Sequence, residues 1–201
     1  MPDTIDFYFD FSSPYGFLAS EKIEALAAKH GRGVSWHPIL LGIVFKQTGA
    51  LPLTQVPLKG EYSRRDMTRS AKFHGVGGFR IPTAFPIATQ AAARIVLWLK
   101  AKDAALAAKA AHELYRAFFV DDIDISNPDT AAAVAAKCGV DRPAARAVID
   151  DLQIKDALRR ENERAIAAGV FGSPFIVVDG EPFWGIDRFD QIERWLATGG
   201  W

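Results

Sequence analysis

Ser13 stands where this sequence most readily places chemistry. It follows the run Ile5-Asp6-Phe7-Tyr8-Phe9-Asp10-Phe11 and Ser12, and it precedes Pro14. Proline suits the first position of a helix, because its fixed φ fits there and its missing N–H would have had no partner. Ser13 is then the natural N-cap, a role worth about 1 kcal/mol even if it does nothing else. A helix start also presents unpaired N–H groups and the positive end of the helix dipole, so an anion is stabilised at that point. The other reactive residue types are scattered. His30, His37, His74 and His112 lack the spacing of metal ligands and read as structural or surface histidines. Asp121, Asp122 and Asp124 read as a solvated acidic turn, because the remaining ligands and the closing glutamate of a calcium loop are missing. Cys138, the single cysteine, lies in a helical pattern before Gly139 and reads as a packed, inert thiol. It excludes an internal disulfide and a cysteine-based metal cluster. No convincing Ser-His-Asp triad emerges.

The elements that must position Ser13 can be read from apolar spacing. Ile5, Phe7, Phe9 and Phe11 share one face of a strand whose other face carries Asp6, Tyr8 and Asp10. Ala19, Ile23, Leu26 and Ala27 recur at helical spacing until Gly31 and Gly33 stop the helix. A second strand is expected over residues 34–41, so the opening is strand, helix, strand, the pattern of a parallel α/β unit. Residues 59–168 are rich in alanine and charged residues and read as a helical layer, with Asn127-Pro128 and Arg142-Pro143 marking helix starts. Strands return at Phe175-Ile176-Val177-Val178 and Pro182-Phe183-Trp184, around the turn signal Asp179-Gly180, with Glu181 leaving the loop length open. Asp187 reads as a cap for a last helix from Arg188 to about Ala197. Strands at both ends and helices between predict an α/β, thioredoxin-like sheet (residues 1–58 and 169–201) with an inserted all-helical domain (residues 59–168).

Composition bounds the partners. The chain has 201 residues, about half of them hydrophobic, enough to bury a sizeable core. Twenty-four basic residues balance 24 acidic ones, which argues against nucleic acid or an anionic membrane as the main partner. No apolar stretch approaches the roughly 18 residues of a membrane span. Met1-Pro2-Asp3-Thr4 lacks a basic region followed by an apolar run, so a cytoplasmic location is expected.

The segment from Asp6 to Tyr15 closely resembles the N-terminal signature of 2-hydroxychromene-2-carboxylate isomerases, which belong to the DsbA-like thioredoxin superfamily beside the kappa-class glutathione transferases. The resemblance continues in Trp36-His37-Pro38-Ile39-Leu40-Leu41-Gly42, Phe45-Lys46-Gln47-Thr48-Gly49 and Arg80-Ile81-Pro82-Thr83-Ala84-Phe85-Pro86. It closes with Gly169-Val170-Phe171-Gly172-Ser173-Pro174 and Phe183-Trp184-Gly185-Ile186-Asp187-Arg188. It implies a DsbA-like fold. Where the disulfide oxidoreductases of this superfamily carry Cys-x-x-Cys, this chain has Ser13-Pro14-Tyr15-Gly16, so dithiol exchange on the protein is chemically excluded.

The resemblance also implies reduced glutathione as cofactor, with Ser13 donating a charge-assisted hydrogen bond to its thiolate. It implies a cis Ser173–Pro174 bond, with the Ser173 backbone pairing to the cysteinyl part like a short added strand. Trp184, Gly185, Ile186 and Asp187 match the segment that holds the γ-glutamyl end, and Lys59 resembles a lysine that meets a peptide carboxylate. Lys46 matches a lysine facing the aromatic substrate, with Tyr15, Phe45 and Phe85 as walls for its ring. Ile186 and Ala50 depart from asparagines common in relatives. The implied activity is glutathione-dependent interconversion of 2-hydroxychromene-2-carboxylate and trans-o-hydroxybenzylidenepyruvate, or of a related aromatic keto acid, in aromatic hydrocarbon catabolism. Two other readings stay open: a kappa-like transferase that conjugates electrophiles, and a non-catalytic thiol- or peptide-binding relative. No metal is implied, and a homodimer is compatible with the family although no interface stripe stands out.

Overall fold

Alternation along the first strand decides where the sheet buries its weight. In the computed structural model, which describes residues 4–201, β1 (Ile5–Phe9) buries Ile5, Phe7 and Phe9 completely. The Met1-Pro2-Asp3 opening, read above for a leader, lies outside the described residues. β1 ends two residues earlier than its apolar pattern suggests. The Asp10 carboxylate accepts the Ser12 N–H at 2.7 Å and the Asp10 carbonyl accepts the Ser13 N–H at 2.9 Å, which turns the chain. α1 (Pro14–Lys29) follows and leads to β2 (Val34–Pro38), parallel to β1. β2 is also shorter than expected. Ile39 still donates to the Phe9 carbonyl at 2.8 Å, but Leu41 opens α2 (Leu41–Thr48) instead of extending the strand.

Six helices then intervene before the chain returns to the sheet: α3 (Lys59–Phe73), α4 (Gln90–Lys100), α5 (Ala104–Phe119), α6 (Pro128–Ala136), α7 (Arg142–Val148) and α8 (Leu152–Ala167). Several start as their sequences dictate. Asn127 accepts the Asp129 and Thr130 N–H groups at α6, and Asp141 accepts the Ala144 N–H at α7. β3 (Phe175–Val178) runs antiparallel to β1, and β4 (Glu181–Trp184) antiparallel to β3, giving the order β2-β1-β3-β4. The hairpin loop is the two-residue Asp179-Gly180, with φ of 53° and 88°, as a turn with two left-handed residues requires. Asp187 does not cap the last helix. It sits in a single 3-10 turn (Ile186–Arg188), so α9 (Phe189–Thr198) begins later, with Arg188 at its N-cap and no side-chain cap bond.

This is the DsbA-like thioredoxin fold, a four-stranded mixed sheet with helices on both faces. On one face Phe7 and Phe9 pack edge-on to Trp36 at 5.0 and 5.3 Å, and Phe11 lies 4.8 Å from Tyr115 of α5. That apolar cluster is continuous through α1, α4, α5 and α6. On the other face Tyr8 stacks on His37 at 4.6 Å. The sequence treats His37 as one scattered histidine, yet it sits in a charged nest. Its ring meets Glu161 of α8 at 2.6 Å, Asp6 at 3.1 Å, Ser35 at 2.9 Å and Lys100 of α4 at 3.3 Å. Among the described residues, no helix is long and apolar enough to cross a membrane.

Candidate active site

Ser13 is the N-cap of α1. Its backbone is extended, with φ −100° and ψ 111°, and Pro14 takes the first helical position. The Ser13 Oγ accepts the Gly16 N–H at 3.0 Å and donates to the Ser173 carbonyl at 2.8 Å. The hydroxyl therefore caps the helix and ties it to a loop 160 residues away. Gly16 makes that approach possible. A Cβ there would lie 2.7 Å from both the Ser173 Oγ and the Tyr115 hydroxyl. Pro14 has no N–H, the Gly16 N–H goes to the Ser13 Oγ and the Phe17 N–H goes to the Ser13 carbonyl. The Tyr15 N–H is left at the helix end without an intrahelical acceptor, as helix geometry requires.

The facing loop is built from Ser173 and Pro174, joined by a cis peptide bond. The Ser173 Oγ accepts the Asp10 N–H at 3.1 Å, and the Pro174 carbonyl accepts the Gly185 N–H at 3.1 Å. Ser13, Ser173, Pro174 and Gly185 are thus brought together by direct bonds. Gly185 has φ 104°, which an L side chain rarely adopts, and an oxygen of the Asp187 carboxylate would clash with a Cβ there. Trp184 is exposed, and its indole lies over Gly172 and edge-on to Phe171 at 5.0 Å. Ile186 is buried in the main apolar cluster, so its side chain turns inward and leaves only backbone and the exposed Asp187 to face outward.

The remaining predicted residues lie around this centre. Tyr15 is half-buried and donates to Asp66 of α3 at 2.6 Å. Burial first, and then the Asp66 carboxylate, hold its phenol well above the usual range, so it stays protonated. Asp66 also pairs with Arg69 one turn on. Phe45 is half-buried and Lys46 exposed on α2, and Lys59 is exposed at the first position of α3. Phe85 is half-buried against Phe118 and Phe119, next to a second cis bond, Phe85–Pro86, which the sequence reading did not anticipate. No direct bond links Lys46 or Lys59 to Ser13 among the described residues.

Sequence reasoning missed the groups beneath Ser13. Asp10 is almost fully buried, and its carboxylate accepts Ser12 N–H, Leu41 N–H at 2.6 Å and the Thr89 hydroxyl at 3.0 Å. Tyr115, fully buried, donates to the Asp10 carbonyl at 2.8 Å. Burial pushes the Asp10 pKa up, while those three donors pull it back. The available signal was an acid on the last polar position of a strand that runs straight into a helix cap.

The centre is a helix N-terminus carrying a hydroxyl, faced by a peptide turn, with no thiol of its own. Cys138 is buried just after α6, with its thiol pushed up by burial. Such an arrangement suits a thiol brought in on a small peptide: the helix end favours the anion, and the Ser173 backbone offers peptide-like hydrogen bonds.

Residues 4–197 match the family described as the DSBA-like thioredoxin domain. A 2-hydroxychromene-2-carboxylate isomerase of Sphingobium xenophagum is 29% identical over 201 residues, with 98% of this chain and 99% of the relative covered. Glutathione S-transferase kappa 1 of Homo sapiens is 25% identical over 218 residues, with 98% and 94% covered. A solved structure of a 2-hydroxychromene-2-carboxylate isomerase superposes with a TM-score of 0.86 at 26% identity, covering 98% of this chain and 95% of that one.

Proposed function

The chain belongs to the DsbA-like thioredoxin family, and we propose that it is a glutathione-dependent isomerase of aromatic keto acids such as 2-hydroxychromene-2-carboxylate and trans-o-hydroxybenzylidenepyruvate. The observation that carries this reading is the Ser13 hydroxyl at the start of α1, bonded to the Ser173 turn, where a redox protein of this fold would carry a cysteine. Bound glutathione supplies a nucleophilic sulfur that adds reversibly to a conjugated carbon, permits rotation and leaves unchanged. The protein's share is positioning and electrostatics. Ser13 and the open end of α1 hold the sulfur as its anion, as the same kind of site lowers the pKa of a protein cysteine from about 8.5. The Ser173 backbone holds the cysteinyl unit, and the Trp184–Asp187 segment holds the γ-glutamyl end, with Asp187 opposite its ammonium. Lys59 meets a carboxylate of the peptide. Lys46 meets the carboxylate of the keto acid, whose ring lies among Tyr15, Phe45 and Phe85.

The purified protein should interconvert the two isomers only when glutathione is present, and Ser13→Ala should slow the reaction. Losing a charge-assisted bond worth about 1.5–3 kcal/mol corresponds to roughly one to two units in the thiol pKa. Stable conjugates without isomerisation would shift the reading to a kappa-like transferase acting through the same site. No glutathione binding by calorimetry would refute both.

A further inference from the structure

Three helix starts converge on one buried side chain. The Asp10 carboxylate accepts the Ser12 N–H at the entry to α1, the Leu41 N–H at the first position of α2, and the hydroxyl of Thr89, the N-cap residue of α4. The latter two helices lack a local cap. Leu40, at the N-cap of α2, has no side chain able to cap, and Thr89 makes no side-chain bond to its own helix. Asp10 supplies an acceptor to both from another part of the chain. A carboxylate is the suitable group there, because helix N-termini favour negative charge and a buried carboxylate needs several donors.

The segments it ties share one feature. α2 carries Phe45 and Lys46. The segment before α4 carries Phe85, and it is held a second time where the Ile87 N–H donates to the Ser12 Oγ at 3.2 Å. Two of the three side-chain bonds of Asp10, those from Leu41 and Thr89, thus go toward the proposed electrophile side, and the third holds the turn into α1. The bond from Asp10 to the Ser173 turn uses its backbone N–H and does not need the carboxylate.

We propose that Asp10 is the positioning residue that sets the electrophile-binding walls, α2 and the 85–89 segment, in register with the sulfur held at Ser13. The inference takes its substrate side from the proposed function, and its structural part stands without it. In Asp10→Asn an amide N–H must face one of the three donors, so at least one tie is lost while size is kept.

Hydrogen exchange on the intact chain tests the ties directly. Exchange should accelerate in residues 40–48 or 85–90 of Asp10→Asn, according to which side the amide N–H faces, with residues 175–178 unchanged. With glutathione and trans-o-hydroxybenzylidenepyruvate, kcat/KM for the keto acid should fall roughly ten- to hundredfold, the scale of a small misplacement. The glutathione Kd should stay within about twofold. Thr89→Val removes the Thr89 tie to the Asp10 carboxylate, Ser12→Ala removes the separate Ile87–Ser12 Oγ bond, and each should accelerate exchange in residues 85–90 alone. Thr89→Val decides the matter if Asp10→Asn does not fold. Unchanged exchange in the foldable variants, or loss of glutathione affinity in step with kcat/KM, would overturn the assignment. A wild-type protein without turnover would refute the proposed function, while the exchange pattern would still decide the role of Asp10.

Discussion

Gly16→Ala sets two effects of opposite sign against each other. Alanine is favoured over glycine in a helix by about 0.5–1 kcal/mol. The new methyl would stand 2.7 Å from the Ser173 Oγ, 2.7 Å from the Tyr115 hydroxyl and 3.0 Å from the Ser13 Cβ. None of these is the loose end of a flexible side chain. The Ser173 Oγ accepts the Asp10 N–H, Tyr115 is fully buried and donates to the Asp10 carbonyl, and Ser13 is the cap. Overpacking costs about 1–3 kcal/mol, and a displaced buried hydrogen bond adds about 1–3 kcal/mol. The net effect is a loss of about 3 kcal/mol, or a Tm lower by roughly 6–12 °C for a chain of this size. Gly42→Ala is the control: Gly42 lies in α2 with nothing within 4 Å of a Cβ, so only the propensity gain remains. Thermal unfolding of both variants checks the sign. A Tm at or above wild type for Gly16→Ala would refute the close approach between α1 and the Ser173 turn.

Other perturbations probe separate parts of the molecule. Ser13→Cys places a protein thiol at the helix end, and its alkylation by iodoacetamide should titrate below the ordinary value of about 8.5; a value at or above it would contradict an electropositive helix start. Gly185→Ala should weaken glutathione binding and lower Tm, because φ 104° and the Asp187 carboxylate both oppose a Cβ; unchanged calorimetry and Tm would contradict this. In the His37 nest, burial lowers the His37 pKa, but bonds to Asp6 and Glu161 outweigh it and raise the pKa above 6.5. Burial raises the Glu161 pKa, but His37 outweighs it and lowers the pKa below 4.5. The His37 contribution to stability is full below pH 6.5 and lost as pH rises through the raised folded value, whereas that of Glu161 is present above pH 4.5 and lost as pH falls. His37→Gln should therefore flatten the decline of Tm above pH 6.5, and an unaltered slope would count against the nest.

What was legible in the sequence was local. Ser13-Pro14 announces a cap because proline fixes the next φ, and Asp179-Gly180 announces a tight hairpin because both residues tolerate the left-handed region. The alanine-rich segments fold as helices because nothing in them competes with the backbone. What was hidden depends on distant partners. Strand alternation assigns Asp10 to a polar face, but the starts of α2 and α4 cover that end of β1 and turn it into a buried acceptor. His37 meets Glu161 from a helix 124 residues away, which no local pattern can signal. Asp187 misled because an acid before an apolar helix looks like a cap, and the intervening 3-10 turn cannot be seen in the pattern. Ile186 looked like a lost polar contact, whereas its burial shows a packing position.

The bond between Ser13 and Ser173 bears on how activation of a bound thiol is gated. A serine hydroxyl has one proton, and here it points to the Ser173 carbonyl at 2.8 Å. That proton cannot serve Ser173 and a thiolate at once. On the proposed function, the Ser173 carbonyl needs another donor before Ser13 turns to sulfur, and the N–H of an incoming cysteinyl unit is the group that an added strand supplies. The peptide part of the ligand and the ionisation of its sulfur are then coupled through one hydroxyl. A thiol lacking the amide, such as 2-mercaptoethanol, leaves the Ser173 carbonyl holding the Ser13 proton. At saturation its sulfur should show much less thiolate absorbance near neutral pH than that of glutathione. Equal ionisation of the two thiols would mean that the helix end alone does the work and that the Ser13 proton never changes partner.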